Sequence, residues 1–228
     1  MHVVITGAGR GLGLQFARQC VARGDTVYAT VRRDSEALRE LGATVLRLDV
    51  ADPASIEAFA AELAGLTDRV DLLINNAGIN SRGVPEGQGN VRFGDLEPEG
   101  ILTMVRVNAI GPVLVTQALA GLLGEGSKVV SISSWLGSIG GKSRGGNYGY
   151  CASKTTLNML GRAMAFDLRE RGVTAVVVNP GWVQTDMGGS RASLTPEQSV
   201  GGLLAVADGL TTQDAGRFLQ WDGTEHPW

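Results

Sequence analysis

The chain has 228 residues, of which 43% are hydrophobic and 19% charged, with a formal net charge of −3 at pH 7. This balance indicates a globular protein with a substantial core, and it argues against nucleic acid or a membrane as a partner. No apolar run approaches the ~18 residues that a membrane span needs. Two cysteines, Cys20 and Cys151, and two histidines at opposite ends of the chain predict no disulfide framework, no metal site and a reducing, cytoplasmic setting.

Short β-branched runs alternate with amphipathic segments along the chain. Strands are predicted at 2–6, 26–31, 44–50, 70–75, 128–133 and 174–179, with a last one in GRFLQWDG near the end. Helices are predicted near 11–23, 53–64, 98–122 and 150–170, with a surface loop at 79–97 and a further helix capped by Thr195. We therefore predict an α/β fold: a single doubly wound Rossmann-type domain over residues 1–228, with a central, mainly parallel sheet of about seven strands.

The glycine-rich stretch TGAGRGLG (6–13) follows the first strand and opens the first helix. Gly7, Gly11 and Gly13 remove side chains where the backbone approaches a pyrophosphate and where the helix approaches the sheet. The helix N-terminus, which includes Leu12, offers N–H groups and a positive dipole end to phosphates. The stretch predicts a dinucleotide site, and a tight turn without a ligand is the alternative.

The second strand ends in YATVRRD, with Thr30 and Val31 at the tip where NAD binding favours an acidic residue. Arg32 follows, and an arginine there accommodates the 2′-phosphate of NADP. Arg10, inside the glycine turn, adds a second positive charge, although a solvated surface charge is the alternative for each arginine. NADP(H) is the predicted cofactor, with NAD(H) as the alternative because Asp34 lies only a few residues beyond the tip.

The stretch YGYCASK (148–154) contains two tyrosines and a lysine. Residues four apart share one helix face, so Tyr150 and Lys154 project together, whereas Tyr148 is turned by roughly 240°. An ammonium beside a phenol lowers the phenol pKa from about 10 and creates a general acid or base, although core packing is the alternative. Ser134, at the end of KVVSISS, lies where a doubly wound sheet places ligands, and its hydroxyl suits a carbonyl oxygen.

A set of motifs then occurs in a fixed order: TGAGRGLG (6–13), LDV (48–50), NNAG (75–78), VNAIGP (107–112), SISS (131–134), YCASK (150–154) and NPGWVQTDM (179–187). Together they resemble the short-chain dehydrogenase/reductase family over essentially the whole chain. Within that family the chain is most similar to the C-factor and sniffer-like carbonyl reductases, through SSWLGSIGG, YGYCASKTTLNM, PGWVQTDMGG and GRFLQWDGTEHPW.

The resemblance implies a catalytic tetrad of Asn108, Ser134, Tyr150 and Lys154. Tyr150 would protonate the carbonyl oxygen and Ser134 would orient it. Lys154 would lower the tyrosine pKa and bind the nicotinamide ribose, and Asn108 would hold a water in a proton relay. Fifteen residues separate Ser134 from Tyr150, more than in many members, so Ser133 stays open as the alternative serine.

The resemblance also implies cofactor contacts from Asp49 and Val50 at the adenine, from Asn76, Ala77 and Gly78 at the adenosine-side ribose, and from Pro180, Gly181, Val183 and Thr185 at the nicotinamide. It implies an NADP(H)-preferring oxidoreductase that acts on a small carbonyl or secondary alcohol substrate. A signalling or regulatory protein that binds the dinucleotide with incidental turnover is the rival. A homodimer or homotetramer is expected, through small residues such as Gly161 on the helix at 150–170, with a monomer as the alternative.

Overall fold

A computed structural model describes residues 1–228 and contains one seven-stranded sheet in the order β3-β2-β1-β4-β5-β6-β7. Every neighbouring pair of strands is parallel. The strands are β1 His2–Ile5, β2 Thr26–Val31, β3 Thr44–Arg47, β4 Leu72–Asn75, β5 Lys128–Ile132, β6 Thr174–Asn179 and β7 Phe218–Gln220. The predicted α/β, doubly wound sheet of seven strands is confirmed, and the sheet is entirely parallel.

Seven α-helices flank the sheet: α1 Gly11–Ala22, α2 Glu36–Glu40, α3 Pro53–Ala64, α4 Pro98–Val105, α5 Gly111–Ala118, α6 Tyr148–Arg169 and α7 Pro196–Gly209. Side chains of α1 and α7 pack on one face, and side chains of α3, α5 and α6 pack on the other. Helix α7 begins at the predicted cap, because Thr195 Oγ1 accepts the Gln198 N–H at 3.2 Å. Helix α2 was not predicted, since five residues are too few to show an apolar period.

The helix predicted near 98–122 is interrupted. A π-helical segment, Arg106–Ile110, separates α4 from α5 and buries Asn108 completely. By length and composition the stretch Pro98–Ala118 is apolar enough to cross a membrane, with a mean hydropathy of 1.3, which corrects the expectation that no run approaches this length. In the fold α4 and α5 pack against α6, and core helices of soluble proteins pass the same test of composition.

Small residues on α6 pack against the sheet. A Cβ on Gly161 would lie 2.6 Å from Val177 Cγ1 on β6, and Ala165 is completely buried in the core on the same side of the sheet. The expectation that Gly161 lies on a surface shared with a second subunit is therefore wrong. On α6 it is Met159 and Phe166 that expose large apolar side chains.

The carboxyl ends of the parallel strands meet at one edge of the sheet. The strand order reverses between β1 and β4, which are neighbours in the middle of the sheet. The chain continues from β1 to β2 and β3 on one side, and from β4 to β5, β6 and β7 on the other. In an open parallel sheet, ligands bind outside the strand ends at this reversal. The fold therefore directs attention to the turns that follow β1, β4, β5 and β6.

Candidate active site

The turn between β1 and α1 is braced by the end of β4. Asn76 Nδ2 donates to the carbonyl oxygens of Thr6 at 2.9 Å and Gly7 at 3.1 Å. Thr6 Oγ1 in return accepts the N–H groups of Asn76 and Ala77, each at 3.0 Å. Gly7 has φ +65°, and a Cβ there would lie 2.8 Å from Ala77 Cα. Asn76 and Ala77 thus hold the glycine turn, and only glycine fits at position 7.

Helix α1 begins at Gly11 without any capping side chain, and Arg10 is its N-cap residue. Its first N–H groups and the positive end of the helix dipole therefore face the strand-end edge. A Cβ on Gly11 would lie 3.6 Å from Thr185 Cγ2, so the glycine turn faces the loop after β6 across a narrow cleft. Leu12 is half-buried and Gly13 buried beneath this turn. The unpaired N–H groups and the missing side chains fit a pyrophosphate group.

The tip of β2 offers an exposed cation. Thr30 is buried and accepts the Gly7 N–H at 3.4 Å and the Ala8 N–H at 2.8 Å, so it supports the glycine turn. Arg32 is exposed and has no ion pair, whereas Asp34 pairs with Arg39 at 3.0 Å. Because Asp34 is engaged away from the tip, the charge at this position is positive, which fits a 2′-phosphate.

Asp49 and Val50 follow β3 at the same edge. The Asp49 N–H donates to Ser55 Oγ at 2.9 Å, and Asp49 Oδ1 accepts the Ala51 N–H at 3.0 Å. Asp49 Oδ2 has no donor within the protein, and the residue is half-buried. Val50 is buried with its carbonyl against Gly111. The free carboxylate oxygen is suited to accept a hydrogen bond from an adenine amino group.

Helix α6 brings Tyr150 and Lys154 to the end of β5. The buried Lys154 Nζ donates to the Ile132 carbonyl at 2.7 Å and lies 5.8 Å from the centre of the Tyr150 ring. Tyr148 is the first residue of α6, and its ring lies 6.4 Å from Phe93 on the exposed side. Lys154 therefore lies beside Tyr150 in the structure, and Tyr148 faces away from both residues.

The two candidate serines have different surroundings. Ser133 Oγ donates to Asn158 Oδ1 at 2.6 Å, so its proton is engaged in the core. Ser134 Oγ accepts the Leu136 N–H at 3.1 Å, and its hydroxyl lies close enough to Tyr150 to act on the tyrosine pKa in the lowering direction. This geometry favours Ser134 as the residue that meets a substrate oxygen.

Burial dominates the pKa values of the Tyr150–Lys154 pair. It raises the pKa of Tyr150 to about 12, although hydrogen bonding with Ser134 acts in the lowering direction. It lowers the pKa of Lys154 from 10.5 to about 8. The pKa of Tyr150 therefore lies above its ordinary value and not below it, as the neighbouring Lys154 ammonium led us to expect, because desolvation prevails. At neutral pH Tyr150 keeps its proton and is a donor.

Asn108 and Lys154 both lie beside Gly78. A Cβ on Gly78 would lie 3.3 Å from Asn108 Oδ1 and 3.6 Å from Lys154 Nζ. Asn108 Nδ2 donates to the Ile79 carbonyl at 2.8 Å and to Ser153 Oγ at 2.9 Å, while Oδ1 accepts the Ile79 N–H at 2.8 Å. Both amide protons are thus engaged. The second lone pair of Oδ1 is left without a donor from the protein.

The loop after β6 is tied to the serine turn by a residue that sequence reasoning missed. Asn179 Oδ1 accepts the N–H groups of Trp135 at 3.1 Å and Gly181 at 3.2 Å. Gly181 has φ +79°, a conformation that favours glycine. The signal for Asn179 in the sequence was a polar residue at the end of an otherwise apolar strand. Ser153 and Asn158 gave a similar signal, because they are polar residues on the apolar face of α6.

The structure brings all the predicted site residues to this edge. The cofactor group comprises Gly7, Arg10, Gly11, Leu12, Gly13, Arg32, Asp49, Val50, Asn76, Ala77 and Gly78. The residues predicted to be catalytic, which we call the catalytic group, are Asn108, Ser134, Tyr150 and Lys154, with Pro180, Gly181, Val183 and Thr185 in the adjoining loop. The pair Arg10–Asp186, at 3.3 Å, links the two groups. No cluster of His, Cys, Asp and Glu suits a metal ion.

Comparison with known sequences places the chain in a family. The family profile described as "short chain dehydrogenase" matches residues 1–194. The chain therefore belongs to the short-chain dehydrogenase family, as the motifs predicted.

Individual relatives and solved structures show which members of the family the chain is similar to. C-signal of Myxococcus xanthus is 42% identical over 175 residues, which are 76% of this chain and 100% of C-signal. The carbonyl reductase Sniffer of D. melanogaster matches with a TM-score of 0.90 at 28% identity, over 100% of this chain and 99% of its own. The NADPH-bound carbonyl reductase from chicken fatty liver matches with a TM-score of 0.88 at 33% identity, over 100% and 98%. The predicted similarity to the C-factor and sniffer-like group is confirmed.

Proposed function

We propose that this protein is an NADP(H)-preferring oxidoreductase that reduces a small carbonyl compound, with the secondary alcohol as the reverse substrate. The observation that carries the proposal is the convergence of Ser134, Tyr150 and Lys154 at the strand-end edge, where burial keeps the tyrosine protonated. The likeness over the whole chain to the NADPH-bound chicken carbonyl reductase supports the cofactor. Since both cysteines are free thiols, we place the protein in the cytoplasm.

The residues of the cofactor group would hold NADP(H), which supplies the hydride when bound. N–H groups at the start of α1 bind the pyrophosphate, and Arg32 binds the 2′-phosphate. Arg10 contributes a second cation once its exposed pair with Asp186 opens. Asp49 would accept a hydrogen bond from the adenine amino group through its free oxygen. Thr30 and Asn76 act indirectly, because they hold the glycine turn in place.

The catalytic group orients a carbonyl and protonates it. Ser134 donates its hydroxyl proton to the carbonyl oxygen in a hydrogen bond and holds that oxygen beside Tyr150. Tyr150 transfers its hydroxyl proton as negative charge develops on the oxygen. The resulting phenolate is stabilised by Lys154, which is mostly charged at pH 7 because its pKa is about 8. Asn108, beside Gly78, holds the water that returns a proton towards Lys154.

The similarity to C-signal favours a second candidate, a regulatory protein that binds the dinucleotide with incidental turnover. The two candidate functions predict different rates of substrate turnover. NADPH oxidation measured against a panel of aldehydes, ketones and quinones distinguishes them, since an enzyme turns over at least one class efficiently. Light scattering measures the assembly that we propose, a homodimer or homotetramer, against the monomer mass of 23.8 kDa.

Tyr150→Phe tests the assignment of the proton donor. The variant keeps the ring but removes the hydroxyl, so kcat falls roughly 10²- to 10⁴-fold, the usual contribution of a general acid. NADPH affinity, measured by fluorescence titration, stays nearly unchanged. Tyr148→Phe is the matched control and changes kcat less than about twofold, because Tyr148 is exposed and faces Phe93. A larger loss in Tyr148→Phe than in Tyr150→Phe contradicts the assignment.

A further inference from the structure

The segment that carries the catalytic serine and tyrosine is uniformly positive. Residues 126–166 contain no aspartate or glutamate, although the whole chain has a net charge of −3. The basic residues of this segment are Lys128, Lys142, Arg144, Lys154 and Arg162. Lys128 is hydrogen-bonded to Asp208, Lys154 is in the active site and Arg162 stacks on Trp228. Lys142 and Arg144 remain, and both lie in one glycine-rich loop, residues 138–147, which we call the basic loop.

A cavity of about 350 Å³ lies between the basic loop and the turn that follows Ser134. Its lining includes Trp135 and Leu136 from the turn, and Lys142 and Arg144 from the basic loop. The turn begins at the residue next to Ser134, and the basic loop ends where α6 begins, two residues before Tyr150. The cavity is therefore lined by residues that flank Ser134 and Tyr150 in sequence, although these two residues are not part of its lining.

The two cations of the basic loop have no acidic partner. None of the ion pairs in the structure involves Lys142 or Arg144. Lys142 Nζ donates to the Gly146 carbonyl at 3.1 Å and lies 3.2 Å from Cys151 Sγ, which holds the ammonium beside the residue that follows Tyr150. Arg144 is exposed and makes no side-chain hydrogen bond. Positive charge therefore accumulates in the lining of the cavity without an internal counter-ion.

The cofactor phosphates are not the partner of these charges. The phosphate-binding features follow β1 and β2, whereas the basic loop follows β5, which is separated from β1 by β4. Lys142 and Arg144 therefore lie beyond the strand that carries Ser134 and are separated from the phosphate-binding turns.

We propose that the basic loop is a substrate-binding subsite for a negatively charged group, and that the enzyme prefers carbonyl compounds bearing a carboxylate or phosphate distant from the reacting carbonyl. The proposal rests on the proposed reductase function. Two unpaired cations in the lining of the cavity recognise either anion, and Arg144 offers the planar donor set that binds carboxylate and phosphate in two-point fashion.

Three aldehydes that differ in charge test the proposal: 4-formylbenzoate, 4-formylphenyl phosphate and the neutral methyl 4-formylbenzoate. NADPH oxidation at low ionic strength gives kcat and KM for the parent protein, for the double variant Lys142→Gln/Arg144→Gln and for Arg18→Gln. Arg18 is the matched control, because it is exposed on α1, on the opposite face of the sheet from α6. The variants change exposed side chains and leave the fold intact.

We expect the parent to have a kcat/KM for at least one anion roughly five- to tenfold above that for the ester, which is the scale of two partly exposed charge pairs. In the double variant we expect KM for the anionic aldehydes to rise until the preference is lost, while kcat and the reduction of the neutral ester stay unchanged. Arg18→Gln should behave as the parent protein does. Added salt of about 0.5 M reduces the preference. Which anion is preferred distinguishes carboxylate from phosphate.

Three outcomes overturn the proposal. The parent protein has the same kcat/KM for the ester as for both anions, the double variant keeps the preference for an anion, or the double variant loses kcat/KM equally for the ester and the anions. Reduction of the neutral ester by the parent tests the reductase function separately. If the ester is reduced without any preference for charge, only the subsite fails. If none of the three aldehydes is reduced, the proposed function fails and the subsite falls with it.

Discussion

The two ends of the cleft are built in opposite ways. At the cofactor end the glycine turn is held by Thr6, Asn76 and Ala77 through short, partly buried hydrogen bonds. At the substrate end the side chains next to the catalytic groups are exposed, with Trp135 50% and Trp182 50% accessible. The cofactor end therefore presents fixed backbone groups, whereas the substrate end presents side chains on loops.

This difference suits the two ligands. A dinucleotide has the same phosphates in every reaction, so a rigid backbone cradle recognises it without change. Substrates vary, and loops on a fixed scaffold are where recognition changes most easily. The difference also predicts that substitutions at the cofactor end affect folding and cofactor binding together, whereas those at the substrate end change KM with little effect on stability.

The largest effect is expected from a matched pair of glycine substitutions. A Cβ on Gly13 would collide with the Gly7 carbonyl and lie 2.6 Å from Asn76 Nδ2 and 2.8 Å from Ala8 Cα. Gly13→Ala therefore lowers the free energy of unfolding by about 3 kcal/mol and abolishes NADPH binding. A Cβ on Gly145 meets nothing within 4 Å, so Gly145→Ala changes stability by less than about 0.5 kcal/mol.

Urea unfolding of both variants, with NADPH titration of the folded fraction, makes this comparison. If the two substitutions lower the free energy of unfolding equally, the cofactor end is not more tightly packed than the substrate end.

Arg32 is the exception at the cofactor end, because it is an exposed side chain and not part of the braced backbone. Arg32→Ala is expected to weaken NADPH binding by ~1.5–3 kcal/mol, or roughly ten- to hundredfold, since a charge-assisted hydrogen bond to the 2′-phosphate is lost. NADH affinity and the free energy of unfolding stay unchanged. Dissociation constants for both cofactors test this, and equal affinities for NADPH and NADH in the parent contradict the cofactor assignment.

The sequence predicted the cofactor end better than the substrate end. Glycine spacing and strand periodicity are local patterns, so Gly7, Gly13 and the seven strands follow from neighbouring residues. The π-helical segment around Asn108 was not predictable, because it depends on packing between α4, α5 and α6. The orientation of Gly161 was missed for a related reason: several apolar and small positions on α6 allow more than one face, and only β6 selects among them.

The pKa of Tyr150 was also misjudged. The i,i+4 spacing places Lys154 correctly beside it, yet desolvation is a property of the assembled core and not of the helix. A pattern along the chain shows which charges are neighbours. It does not show how much water surrounds them, which here decides the direction of the shift.

Lys154 lies where the two ends of the cleft meet, and its burial gives stability a pH dependence. Its pKa is about 8 in the folded protein and near 10.5 when unfolded. Between these values the unfolded chain binds more protons, so stability rises with pH, and the cost of burying the charge is fully present below about pH 8. Lys154→Met lacks this titration. The free energy of unfolding of the parent, minus that of the variant, should therefore increase by about 2 kcal/mol from pH 7 to pH 9.5.

Urea unfolding at the two pH values measures this difference. Lys142→Met is the control, because it removes a lysine that is exposed and not buried. The subtraction removes all groups common to parent and variant, including Tyr150, whose raised pKa acts in the opposite direction only near and above pH 10. Parallel pH profiles for the parent and Lys154→Met would mean that water reaches Lys154. The catalytic lysine would then belong with the exposed substrate end and not with the packed core.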